Sequence, residues 1–150
     1  YSSIMTNPER QPWYTKGAYL DLSAKRILEH AVKSAQENHS SIGVRQLYEG
    51  IRIEMGDFLV ASDMQRKNID PERLERDLDL VSQFEDEHVY YANPSALKLS
   101  SCVDAVLAHA AKEVARSRKP TAQGINDRKL LESLAVVVKH EADRSSGQSY

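Results

Sequence analysis

The side chains that most often do chemistry in proteins show no catalytic or metal-binding spacing in this chain. No HExxH pair or other metal-type spacing connects the five histidines, which are His30, His39, His88, His109 and His140. The single cysteine, Cys102, lies at a predicted helix start, where a thiolate is favoured, but no motif gives it a histidine partner. The acidic run 85–87 is typical of a solvated linker. We therefore predict that this chain is not an enzyme and holds no metal or other cofactor.

The most informative pattern is an internal repeat between segments 28–51 and 107–134. At an offset of 79 residues the shared pairs are Leu28 with Leu107, His30 with His109, Ala31 with Ala110 and Lys33 with Lys112. At an offset of 83 they are Ile42 with Ile125, Arg45 with Arg128, Leu47 with Leu130, Glu49 with Glu132 and Ile51 with Leu134. The offset changes within the polar stretch 116–124, where a loop accommodates an insertion at little cost. The pattern predicts two copies of a helix–loop–helix unit.

Composition fits one globular domain of 150 residues, with 41% hydrophobic and 28% charged residues. A net charge of −2 argues against a nucleic-acid surface, and the basic cluster 116–119 has no aromatic neighbours that would stack on bases. No glycine-rich phosphate loop is present, so this chain carries no ATPase motor. One cysteine excludes an internal disulfide, and no membrane-span or signal-peptide pattern appears. We expect a cytoplasmic location or an equivalent reducing compartment such as a plastid stroma.

Hydrophobic periodicity predicts helices and no strand. Apolar residues recur at three- and four-residue steps in segments that start near residues 24, 43, 58, 71, 101 and 127. The predicted caps are Asp21 or Ser23, Asp70 followed by Pro71, Ser100 or Ser101, and Asn126 or Asp127. The predicted fold is all-α, a pseudo-twofold tandem repeat of one helical unit.

The repeat divides a domain at residues 20–142 into two copies. Copy one is predicted at 20–81, copy two at 99–142, and a linker at 82–98. Residues 1–19 are predicted to be an irregular leader, and residues 143–150 a flexible tail. Copy two stops where its third helix should begin, so we expect it to be truncated.

These segments resemble the Clp amino-terminal repeat, the double four-helix domain at the front of Clp/Hsp100 AAA+ unfoldases. The family's repeat has a helix rich in small residues, then a histidine, an isoleucine–glycine turn and a leucine-rich helix. The matching segments here are 24–38, His39, Ile42-Gly43 and 47–51, and the third and fourth helices match 56–68 and 69–78. The resemblance covers residues 20–80 well and 97–140 more loosely. It implies a protein-binding domain of the chaperone and proteolysis machinery.

Some bacterial members of that family bind phosphoarginine through a threonine and an arginine at the first helix start and a threonine–glutamate pair in the turn. The corresponding residues here are Asp21, Ser23, Val44 and Arg45 in copy one and Ser100, Cys102, Asp127 and Arg128 in copy two. An arginine replaces the glutamate in both copies. This reverses the local charge, so we expect no phosphoarginine site.

The loop-to-helix turns are the predicted partner-binding sites. Arg45 and Gln46 in copy one, with Arg128 and Lys129 in copy two, are polar and lie at equivalent helix starts. For each of them a solvated helix start is an equally good interpretation. The predicted function is docking of protein substrates, adaptors or Clp ATPase and protease subunits, with no nucleic acid or membrane partner. The alternative is a helical DNA-binding regulator, which the acidic balance weighs against.

Overall fold

The computed structural model describes residues 14–15, 18–37, 42–84, 90–92, 97–116 and 124–147, and these residues are predominantly helical, as expected for an all-α protein. The six described helices are α1 (Leu22–Glu37), α2 (Val44–Met55), α3 (Asp57–Arg66), α4 (Pro71–Phe84), α5 (Ser101–Arg116) and α6 (Asp127–Gly147). Two short antiparallel ribbons pair β1 (Tyr14–Thr15) with β2 (Ala18–Tyr19), and β3 (Tyr90–Ala92) with β4 (Leu97–Leu99).

The ribbons correct two predictions of irregular structure. One lies in the predicted leader and the other in the predicted linker, whose first residues also belong to α4. Strands of two or three residues are too short to show an alternating apolar pattern, so the sequence did not reveal them. The other leader residues and the acidic run 85–87 lie outside the described residues.

The end of α6 corrects a third prediction, because the expected flexible tail is helical as far as Gly147. No glycine or proline interrupts α6 before that residue. Ala142 is buried, and Asp143 pairs with Arg73 of α4 at 3.2 Å. The segment that was expected to be flexible is therefore helical through Gly147, and its first residue pairs with α4.

Four helices start at predicted cap residues. The bonds run from the amide of Ala24 to Asp21 Oδ1 (3.1 Å), Glu72 to Asp70 Oδ1 (3.1 Å), Val103 to Ser100 Oγ (3.2 Å) and Lys129 to Asn126 Oδ1 (2.8 Å). Each bond satisfies an amide that helix geometry leaves without a partner. The cap predictions at these four residues are confirmed.

Gly56 separates α2 from α3. Its φ of 86° lies in the left-handed region, which favours glycine because other residues clash there. The residue at the repeat offset of 83 is Lys139, which lies inside α6. Consequently α2 ends after 12 residues, whereas α6 continues for 21.

The core is built from two helix pairs and a fifth helix that contacts one member of each pair. Helix α1 packs on α2, α5 packs on α6, and α4 contacts both α2 and α6. Leu47 of α2 and Leu130 of α6 are both fully buried, which confirms their predicted place on the apolar face.

Two isolated parallel bridges connect the first and second parts of the chain. The pairs are Leu20 with Ile125 and Ile42 with Leu99, and all four side chains are buried. The amide of Asp21 donates to the carbonyl of Ile125 at 3.0 Å, and the amide of Ser100 donates to that of Ile42 at 2.9 Å. Each donor is a helix cap, so these bonds satisfy cap amides across the domain.

Candidate partner-binding surface

Arg45, at the start of α2, is tied to α4 by two carboxylates. Its Nη1 lies 3.0 Å from Glu75 Oε2, and its Nη2 pairs with Asp79. Glu75 and Asp79 are one helical turn apart, so both reach the same guanidinium. Burial lowers the pKa of Arg45, but the hydrogen bonds to the two carboxylates outweigh burial and raise it above the ordinary value. Arg45 therefore holds α4 against α2.

Gln46 serves the start of its own helix. Its Oε1 accepts a hydrogen bond from the amide of Gly43 at 2.9 Å. This is the half of a capping box in which the third helical residue reaches back to the cap. Gly43 has no side chain that could return the bond. Arg45 and Gln46, the two residues predicted to bind a partner in this turn, therefore both contact other residues of the fold.

Arg128 is the most solvent-exposed of the four residues predicted to bind a partner. It is exposed at the start of α6, and no ion pair involves its guanidinium within the described ranges. Its backbone is fixed, because its amide donates to Asp127 Oδ1 at 2.7 Å and its carbonyl accepts from Lys67 at 3.4 Å. Lys129 beside it is 28% exposed, with its Nζ 3.8 Å from Glu132. Among described side chains, no hydrogen bond or ion pair joins this turn to that of Arg45.

The sequence did not reveal a groove where α4 meets α6. Its cavity volume is about 570 Å³. Its lining contains four apolar residues, Ile69, Leu74, Ala135 and Val136, and a set of charged residues, hereafter the rim, which comprises Lys67, Asp70, Arg73, Asp77, Glu132 and Lys139. Ion pairs occupy much of the rim, since Lys67 lies 3.0 Å from Glu132 and Arg73 lies 3.5 Å from Asp77. The sequence signal that could have indicated this groove is the run of three valines at 136–138. Three consecutive apolar residues cover more of the helix circumference than one core-facing stripe needs.

A second apolar surface lies where α2 meets α3. Ile53 is 61% exposed, Phe58 82% and Leu59 47%. The nearby Arg52 is occupied, because its Nε donates to Asp57 at 3.0 Å, a bond that raises the pKa of Arg52. Contiguous exposed apolar side chains often mark interaction surfaces, so these three residues are candidates for such a surface.

The histidine and cysteine that drew attention in the sequence have structural positions. His109 Nδ1 lies 2.9 Å from the hydroxyl of Ser133. Because Ser133 is fully buried, its hydroxyl cannot reach a substrate. This bond joins α5 to α6. Cys102 is a free thiol that packs in the core.

Comparisons with protein-family models, with curated proteins and with solved structures gave no match to this chain. The class of the protein therefore follows from its own geometry: a helical domain with two bridged parts, a groove and an exposed apolar surface. In the described part of the chain, no helix has the length and apolar character needed to cross a membrane.

Tyr48 is expected to make the stability of the fold depend on pH. Its side chain is 4% exposed and lies under the guanidinium of Arg52 at 5.9 Å. Burial raises the pKa of Tyr48, and the charge of Glu75 raises it further. The folded pKa thus exceeds the unfolded value of about 10, so the contribution to stability is complete below pH ~10 and is lost as pH rises through the folded pKa.

We therefore expect the melting temperature of the wild type to fall more steeply above pH ~10 than that of Tyr48→Phe. Comparing the variant with the wild type at each pH removes the contribution of the lysines and arginines. Thermal denaturation followed by circular dichroism between pH 8 and 11 makes the measurement. Parallel curves for the two proteins would show that Tyr48 ionises as freely in the folded state as in the unfolded state.

Proposed function

We propose that this chain is a double-repeat, protein-binding domain of the Clp amino-terminal type, and that it docks substrates or adaptors for a Clp-type unfoldase without chemistry of its own. The observation that carries this proposal is the reciprocal pairing between its two parts. The offset of 79 residues relates Leu20 to Leu99, and the offset of 83 relates Ile42 to Ile125. Under these offsets the bridge between Leu20 and Ile125 corresponds to the bridge between Leu99 and Ile42. A pseudo-twofold arrangement requires such reciprocity.

The hydrogen bonds and caps support the same equivalence. The bond from Asp21 to Ile125 corresponds to the bond from Ser100 to Ile42. The capped amides of Ala24 and Val103 are also 79 residues apart. The second strands of the two ribbons, β2 and β4, precede the first helix of each unit at matching positions. The bridges with their hydrogen bonds, the caps and the strands are thus three features that relate the units in the same way.

Small residues occupy one corresponding position in the two helix pairs. Gly50 of α2 lies against α1, where an added Cβ would be 2.6 Å from the carbonyl oxygen of Ile27. The residue 83 positions later is Ser133, which bonds to His109 of α5. At Gly50 the missing side chain allows the close approach of α1. The second unit uses the extra hydroxyl to satisfy its histidine.

The surfaces of the domain favour binding over catalysis. The groove between α4 and α6 combines apolar lining residues with a charged rim whose residues are partly paired, a combination that can accept peptide segments. Arg128 adds an exposed cation at the start of α6. Charged contacts of this kind govern partner choice and association rate.

Capture of Clp components by the purified, tagged chain tests the proposal. Bound proteins from an extract of the source cells are identified for the wild type, for Arg128→Glu and for the matched control Lys33→Glu, which reverses an exposed charge on α1. We expect Clp ATPase or Clp protease subunits on the wild type and the control, and about tenfold less on Arg128→Glu. Arg45 is unsuitable for charge reversal, because a glutamate there would face Glu75 and Asp79.

Absence of every Clp component from the wild-type fraction would contradict the proposed function. Equal yields on Arg128→Glu would remove the start of α6 from the binding surface. Salt-sensitive binding of duplex DNA by the same purified chain would instead support a DNA-binding regulator.

A further inference from the structure

The rim of the groove between α4 and α6 contains one charged side chain that has no partner among the described residues. Two ion pairs engage four of the six rim residues. Asp70 is engaged as a helix cap, because its Oδ1 accepts a hydrogen bond from the amide of Glu72 at 3.1 Å. The remaining rim residue is Lys139, which is exposed and forms no ion pair or hydrogen bond with any described residue.

Within α6, the acidic residue best placed to pair with Lys139 is engaged by another helix. Asp143 is the only acidic residue three or four positions from Lys139, the spacing at which side chains of a helix meet. The carboxylate of Asp143 pairs instead with Arg73 of α4, at 3.2 Å. The ammonium group of Lys139 is therefore left for a ligand of the groove.

An exposed apolar side chain lies beside this cation. Val136 precedes Lys139 by three residues, so the two are neighbours on the surface of α6, and both line the groove. Val136 is 47% exposed, whereas Leu74 and Ala135 in the same lining are buried. The cavity volume of about 570 Å³ is typical of ligand sites in proteins. One ligand in the groove can therefore cover Val136 and neutralise Lys139 together.

We propose that the groove binds a peptide segment of a partner protein in which an acidic residue stands next to an aliphatic residue. The acidic side chain pairs with the ammonium group of Lys139, and the aliphatic side chain packs on Val136. Charge complementarity selects this occupant, because the other five rim residues already have partners within the fold and Lys139 attracts a carboxylate. The inference names the chemistry of the segment that the proposed protein-binding domain takes, and so rests on that proposal.

An NMR titration of the isotope-labelled, 150-residue chain with a capped peptide tests the proposal. In the peptide acetyl-Gly-Ser-Glu-Leu-Ser-Gly-amide the glutamate is the only charged group. We expect saturable shifts of the amide signals of Val136 and Lys139, with a dissociation constant of about 1 mM. Replacing the glutamate of the peptide by glutamine, or its leucine by serine, should each weaken binding about fivefold.

Variants of the chain locate the two contacts. Lys139→Glu and Val136→Ser should each weaken binding of the glutamate peptide about fivefold, whereas the control Lys33→Glu should not. Both groove side chains are exposed, so the variants remain folded, which circular dichroism verifies. A charge swap makes the test specific: a peptide with lysine in place of its glutamate should bind Lys139→Glu more tightly than it binds the wild type.

Equal affinities of the glutamate and glutamine peptides for the wild type would overturn the proposal. Shifts confined to residues outside the groove, or no shift at ~10 mM peptide, would also overturn it. Peptide binding in the groove without capture of Clp components would contradict only the Clp assignment. Capture of Clp components without peptide binding would contradict only the proposal for the groove.

Discussion

Replacing Leu47 with alanine is expected to lower the free energy of unfolding by about 2–5 kcal/mol, and Leu130→Ala by a similar amount. Both side chains are fully buried, Leu47 on α2 and Leu130 on α6. Truncation removes their apolar burial and leaves a cavity that the surrounding helices fill only in part. Urea denaturation followed by circular dichroism gives the free energies.

Leu22 provides a matched control, since it is a leucine in helix α1 that is 59% exposed. We expect Leu22→Ala to change the free energy of unfolding by no more than about 0.5 kcal/mol. A loss for Leu47→Ala or Leu130→Ala as small as that for Leu22→Ala would show that the helix faces are assigned wrongly.

Gly50→Ala is expected to destabilise the protein by about 1–3 kcal/mol through overpacking. Helix propensity alone predicts the opposite sign, a gain of about 1 kcal/mol when glycine in a helix becomes alanine. The difference arises because the added Cβ would lie 2.6 Å from the backbone oxygen of Ile27, and backbone cannot move aside as a flexible side chain can. The helices α1 and α2 would have to separate.

The exposed helical position Ser62 supplies the control, where alanine should be neutral or slightly stabilising. Equilibrium unfolding of the two variants and the wild type gives the comparison. A gain in stability for Gly50→Ala would mean that α1 and α2 lie farther apart than the structure places them.

The features predicted correctly from the sequence depend on neighbouring residues. The caps Asp21, Asp70, Ser100 and Asn126 act within three residues of themselves. The apolar stripes follow the period of a helix, which is visible within one segment. Local chemistry therefore predicted the helices and the burial of Leu47 and Leu130.

The features that were missed depend on distant residues. The carboxylates that clamp Arg45 lie 30 and 34 residues away, so the sequence could not show that this arginine is occupied. The groove forms only when α4 meets α6, and its rim depends on the approach of Lys67 to Glu132. The pairing of Asp143 in α6 with Arg73, 70 residues earlier, was likewise not visible in the sequence. Of the four predicted partner-binding residues, only Arg128 has the exposed position that its place at a helix start indicated.

Amide hydrogen exchange at Asp21 and Ser100 tests most directly the claim on which the account depends, that two equivalent units pair reciprocally. A cap amide has no backbone acceptor within its own helix. In this structure each of the two donates to a carbonyl of the other unit, at 3.0 and 2.9 Å. We predict that both amides, followed by NMR, exchange as slowly as those of Leu47 and Leu130, because each of the four donates to a backbone carbonyl next to the buried core. Exchange of either cap amide at the rate of an unstructured chain would contradict the reciprocal pairing.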